Sequence, residues 1–181
     1  LAWKLPTLSA ERVWAELRRL LEAPDPTPSV VLAIESGVAP HVLPGTLDVE
    51  RLRRLIAVEE MFTVPIDAIR RLAGLLTIDA EAATKLSERL RHSNSERNYL
   101  ARLIVRKSTL KPMRDSRGPR RALYELGRET YRDVVLLSWS AAGADSADEA
   151  WTRLWRAADE WSSPRLPVAG ADVMALGIPK G

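Results

Sequence analysis

Helical spacing of apolar residues, cut at short intervals by proline, glycine or a capping residue, is the feature that most restricts this chain. Near the N-terminus Val13, Leu17, Leu20 and Leu21 fall at i, i+4, i+7 and i+8, with Trp14 beside them, which is one face of a helix. Ser9 is placed to cap that helix, and Glu11 suits the positive end of its dipole. Leu8 and Val13 have the spacing of a hydrophobic staple. Three prolines in "APDPTP" end it, because a proline ring lacks the N–H and crowds the preceding turn.

The same pattern continues. Helices are expected over Ser29–Ser36, Asp48–Met61, Pro65–Leu76 and Asp79–Arg91, with "VAPHVLPG" as a compact apolar turn after Gly37. Leu52, Leu55, Ile56 and Val58 face inward on the second of these, and Pro65 suits a first helical position. Ser93 and Glu96 have capping-box spacing ahead of a helix that puts Leu100, Leu103 and Ile104 on one face. Pro119 opens the helix "RRALYELG", which Gly127 closes. In the next segment Tyr131, Val134, Val135 and Ser138 lie near one face. Ser146 and Glu149 repeat the capping-box spacing before Trp151, Leu154, Trp155, Ala158 and Trp161. A short helix from Ala171 to Leu176 is expected last. No convincing strand pair appears, since the apolar run Val134–Leu137 lies inside a longer helical pattern. The expected fold is all-α, an irregular array of about eight to ten short helices without a fixed repeat.

The chain has 181 residues, 46% of them hydrophobic, enough for one good core or two small ones. No run approaches the ~20 apolar residues of a membrane span, so no membrane partner is expected. Lys4, Pro6 and Thr7 interrupt any signal-peptide core, and cytosol is the expected compartment. There is no cysteine, which excludes disulfides and thiolate metal sites.

The net charge of +3 is unevenly spread. Arg102, Arg106, Lys107, Lys111, Arg114, Arg117, Arg120 and Arg121 are accompanied only by Asp115, so this stretch carries +7 and the remainder −4. A concentrated basic segment on a mildly acidic body points to a polyanion, with a solvated basic loop as the plainer reading. Arg106, Lys107, Lys111, Arg114, Arg117, Arg120 and Arg121 are the candidates for phosphate contact, chosen from charge density alone. The connection "KSTLKPMRDSRGP" is long for a helix–helix link, which marks it as functional or mobile.

Chemistry is otherwise sparse. His41, in an apolar turn, reads as a buried or half-buried structural residue, and His92, before a helix cap, as exposed. They lie in different elements, with no partner at ligand spacing. The acids of "DAE" at Asp79 and of "ADSADE" are explained by helix starts. Trp151, Trp155 and Trp161 read as core, with Arg153 and Arg156 on the opposite helix face. No glycine-rich phosphate loop and no Gly-x-Ser-x-Gly elbow occurs. No catalytic residue, metal site or cofactor is expected within the chain itself.

Three stretches in order, "LSAERVWAELRRLL", "RLRHSNSERNYLARL" and "PRLPVAGADVMALGIPKG", resemble the class II bacterial tRNA nucleotidyltransferases and poly(A) polymerases. Ser9, Glu11, Arg12, Glu16 and Leu17 match a helix that follows the family's nucleotide-binding region. Gly170, Asp172, Val173, Met174, Leu176, Gly177 and Ile178 match its C-terminal signature, and "RRALYELGRETYRD" is similar to alphaproteobacterial-type members. The resemblance implies a head, neck, body and tail, with residues 1–45 ending the neck, 46–110 forming the body and 111–181 a Trp-rich tail. It implies a preceding catalytic head that uses Mg2+ with CTP or ATP, and an RNA partner, the 3′ end of tRNA or another RNA. Glu11 and Arg12 then fall in the neck motif, where capping and ion pairing would support the nucleotide site. On this reading the chain, which begins with Leu1, continues a longer protein, is cut at its C-terminus, and is inactive alone. CCA addition, poly(A) addition and oligomeric state stay open, and the competing class is an α-helical protein-interaction scaffold with a solvated basic loop.

Overall fold

A computed structural model describes residues 9–112 and 117–162, the Arg117 side chain excepted. Ten helices occur among the described residues: α1 (Ala10–Leu21), α2 (Thr27–Glu35), α3 (Ala39–Val42), α4 (Val49–Met61), α5 (Ala68–Leu75), α6 (Ala80–Arg89), α7 (Asn94–Arg106), α8 (Arg117–Leu126), α9 (Arg128–Ala142) and α10 (Glu149–Arg156). None is long and apolar enough to cross a membrane. The expected all-α, multi-helix array is borne out.

Local hydrogen bonds set most starts. Ser9, Asp48, Asp79 and Ser93 each accept a backbone N–H two or three residues into the helix that follows. Each such cap stabilises its helix by about 1 kcal/mol. Ser93 and Glu96 complete a reciprocal capping box. Two expected starts are corrected. α5 begins at Ala68, not Pro65, because the Asp67 carboxylate accepts from the Arg70 N–H at 2.6 Å and pins the first turn there. α10 is capped by Asp148, not Ser146, since Asp148 reaches the N–H groups of both Ala150 (2.8 Å) and Trp151 (3.2 Å). α8 opens two residues ahead of Pro119. The Leu8 staple and the helix expected over Ala171–Leu176 lie outside the described residues.

A strand pair was not expected, and one exists. β1 (Thr46–Leu47) runs antiparallel to β2 (Leu76–Thr77), with Thr46 opposite Thr77. Two residues per strand are too few to leave an alternating pattern. Gly45 makes the approach possible: its φ is +73°, and a Cβ there would lie 2.6 Å from the Thr77 carbonyl oxygen. Arg51 fixes the same corner by donating to the carbonyls of Gly74 and Leu76 and to the Thr77 hydroxyl.

α9 is the centre of the array. It packs against α4, α5, α7, α8 and α10, and every residue from Asp133 to Ser140 is buried. That explains the run of apolar residues from Val134 to Leu137, which spans more than one face of the helix. Tyr131 donates to the Leu154 carbonyl (2.8 Å), and Trp139 donates to that of Asp145 (2.9 Å), so both rings bury area without orphaning a polar tip. Trp139 also stacks near Trp151, centroids 5.9 Å apart. Buried side chains from Trp14 through Ala158 join in one cluster.

Candidate nucleic-acid interface

The basic segment begins on the outer face of α7 and continues onto α8. Arg102 and Val105 are exposed on α7, and Arg106 lies half-exposed one turn from Arg102. Arg120 and Arg121 are exposed on α8. Glu125 joins the two helices: it accepts from Arg121 Nε at 2.8 Å and from Arg106 Nη2 at 3.4 Å. These bonds hold the Glu125 carboxyl below its ordinary range, Arg121 contributing most. The structure therefore brings together Arg106 and Arg121, which are distant in sequence, on one solvent-facing surface. Lys111 is exposed on the connection, while Arg114 and the Arg117 side chain lie outside the described residues.

Lys107 is placed differently. Its ammonium donates to the Leu76 carbonyl, the same oxygen that accepts from Arg51 Nη2 at 2.7 Å. Burial, with the Arg51 guanidinium beside it, lowers the Lys107 pKa to about 8. This amine supports the corner where α5 passes into β2, and less of it faces solvent than at Lys111.

α1 is fastened from the other side. Glu11 and Arg12 are both exposed in its first turn, where Ser9 Oγ accepts the Arg12 N–H at 3.3 Å. Trp14 packs on His92 with centroids 4.3 Å apart, and Arg18 covers the Trp14 ring at 5.0 Å while pairing with Glu96. The expectations for the two histidines are reversed. His92 is buried, because Arg91 adopts φ +57° and turns the ring beneath Trp14; burial lowers its pKa. His41 is exposed, because Ala39 and Leu43 take the inward positions around the four-residue α3.

Sequence reasoning missed a buried ionic cluster. Glu59 on α4 accepts from Arg70 Nε (2.7 Å) and Arg71 Nε (2.8 Å) on α5. Arg70 also donates to Asp133 of α9 (2.8 Å), which accepts a further bond from the Tyr99 hydroxyl of α7. Arg71 reaches the carbonyl of Leu21 at 2.9 Å and that of Ala23, closing the end of α1. Two cations thus balance two carboxylates. Burial opposes charge on Arg70, but Glu59 and Asp133 overcome it and raise its pKa further. The signal was present in "DAIRRLAGLL": two adjacent arginines in an otherwise apolar helix need buried partners. A cavity of about 340 Å³ opens beside the cluster, lined in part by Phe62, Tyr99, Arg132 and Trp155.

This arrangement divides the charged residues by task. Inward arginines are neutralised and lock helices together, whereas Arg102 on α7 and Arg120 and Arg121 on α8 are exposed, where they can replace the counterions of a phosphate backbone.

Residues 1–49 match the family described as "Probable RNA and SrmB- binding site of polymerase A". Over 98% of its length the chain is 28% identical to CCA tRNA nucleotidyltransferase 1, mitochondrial, of Mus musculus, and 26% identical to the protein of that name from Homo sapiens. It spans 40% of the length of each of these relatives.

Proposed function

We infer that this chain, as a C-terminal part of a tRNA nucleotidyltransferase/poly(A) polymerase family protein, holds RNA for nucleotide addition at its 3′ end. The nucleotidyl transfer itself is carried by a catalytic head outside these residues, which would supply the magnesium ions and bind CTP or ATP. The residues here do not fit such a metal. Glu59 and Asp133 are taken by Arg70 and Arg71, and among the described residues no group of three histidines or carboxylates could hold an ion. The names of the two relatives favour CCA addition over poly(A) addition, which makes the acceptor stem of tRNA the substrate proposed.

The observation that carries this reading is the pairing of α7 and α8 through Glu125, which collects Arg106 and Arg121 on one exposed surface. An A-form stem offers phosphates and 2′-hydroxyls across a shallow groove, and outward guanidinium groups suit them. In the proposed division into neck (1–45), body (46–110) and tail (111–181), that surface crosses from body to tail. Glu11 and Arg12, exposed in the first turn of α1, lie on the helix proposed to meet the head.

Electrophoretic mobility shift of the chain with tRNA, at rising salt, tests the reading. Contact by the four exposed basic residues Arg102, Lys111, Arg120 and Arg121 and the half-exposed Arg106 predicts a log K against log salt slope of about −4. Absent or salt-insensitive binding would refute it, and equal affinity for tRNA and heparin would favour the scaffold reading. Assays of the full-length protein with CTP or ATP separate CCA addition from poly(A) addition, and turnover by the isolated chain would remove the need for a separate head.

A further inference from the structure

α8 turns Leu123 into the core and leaves Tyr124 68% exposed, the most exposed large apolar side chain among the described residues. Its ring adds nothing to the buried cluster. Arg120 and Arg121 lie four and three residues earlier, on the same side of the helix, and both are exposed. Glu125 follows and is held by Arg121 and Arg106. The ring therefore lies at helical spacing from two exposed arginines and has no apolar neighbour of its own at that spacing within α8.

That setting decides between partners. An apolar protein contact needs a contiguous patch, and a single ring among arginines is not one. An aromatic ring flanked by cations is the arrangement that takes single-stranded nucleic acid, the ring stacking on a base while the cations meet the adjoining phosphates. A duplex interior is closed to it, because paired bases hide their faces in the stack. We propose that Tyr124 is a stacking platform for an unpaired base of the bound RNA, with Arg120 and Arg121 on the phosphates beside that base. The inference rests on the RNA-binding reading above and adds what that reading lacks: a contact that distinguishes an unpaired nucleotide from a paired one.

The test compares the wild-type chain with Tyr124→Ala and Tyr124→Phe on a pair of two-stranded RNA duplexes without loops, one blunt and one with a short unpaired 3′ extension. The side chain is exposed, so each variant should keep its helical circular dichroism and melting temperature. Tyr124→Ala should weaken binding of the extended duplex by about 5- to 150-fold, the range for one lost base–aromatic stack, with the salt slope unchanged. Tyr124→Phe should bind like wild type, and the blunt duplex should not tell the three proteins apart. Equal affinity of Tyr124→Ala and wild type for the extended duplex would overturn the proposal, as would a loss in Tyr124→Phe as large as that in Tyr124→Ala. Failure of the wild type to bind either duplex above a heparin competitor would instead overturn the RNA-binding reading beneath it.

Discussion

Replacing Glu59 by glutamine should be among the most damaging conservative changes available to this chain. Glu59 is 2% exposed and receives both Arg70 and Arg71. With glutamine the shape is kept and one amide oxygen still accepts, but the cluster passes from neutral to a net +1 at a buried position. Arg70 retains Asp133, and its Nη2 retains the Pro65 carbonyl at 2.6 Å. Arg71 keeps only carbonyl partners, at Leu21 and Ala23, so the uncompensated charge falls there. Removing one partner of a buried pair costs about 3–5 kcal/mol. For a chain of this length that lowers the melting temperature by roughly 6–20 °C. Urea unfolding followed by circular dichroism gives the number directly, with the slope expected to stay at its wild-type value. The double variant Glu59→Gln/Arg71→Met should recover part of the loss by deleting the excess cation. A cost below about 1 kcal/mol for Glu59→Gln would mean that water reaches the cluster, and the account of its burial would be wrong.

Three other outcomes follow from the geometry. Glu125→Gln should tighten tRNA binding several-fold at low salt, because the carboxylate competes with phosphate for Arg106 and Arg121; unchanged or weaker binding in a mobility-shift titration would refute this. Lys107→Met should raise the melting temperature at pH 6–7, since the folded state disfavours the charged amine. The folded pKa of about 8 lies below the unfolded value near 10.5, so wild-type stability rises with pH across that interval, and the advantage of the variant should shrink to nothing as both states lose the proton. Partial solvent access keeps the effect below what the full shift would imply. Gly45→Ala should destabilise the chain by about 1–3 kcal/mol in chemical denaturation, because it meets both a positive φ and the Thr77 carbonyl; a neutral result would place the β1–β2 contact outside the cooperative core.

Much of the fold was readable because the chain is organised by local devices. Ser9, Asp48, Asp79 and Ser93 act on N–H groups three residues away, and the spacing of Leu52, Leu55 and Ile56, or of Leu100, Leu103 and Ile104, reports one helix face. Where two cappers stand close together, as at Ser146 and Asp148, composition could not choose between them; the acceptor that reaches two N–H groups prevails. The strand pair depends on residues some thirty positions apart and leaves no period of its own. The ionic cluster was hidden for the same reason, since Arg70 finds its carboxylates at sequence separations of 11 and 63. The basic segment was visible as charge density, but density does not say which way a side chain turns. Lys107 faces a carbonyl, Arg106 meets a glutamate just beyond the segment, and only the fold distinguishes them.

The four-residue cluster of Glu59, Arg70, Arg71 and Asp133 also constrains how this protein can drift over evolutionary time. Any single replacement that changes charge passes through a state with an unbalanced buried charge, so selection should retain the charge at all four positions or exchange them in concert for apolar residues. The exposed arginines of the proposed RNA-binding surface, Arg102, Arg120 and Arg121, are not held in such a buried cluster, and each can be lost or gained one at a time. The interior of this array is thereby bound to a shared history, and its surface is free to change residue by residue.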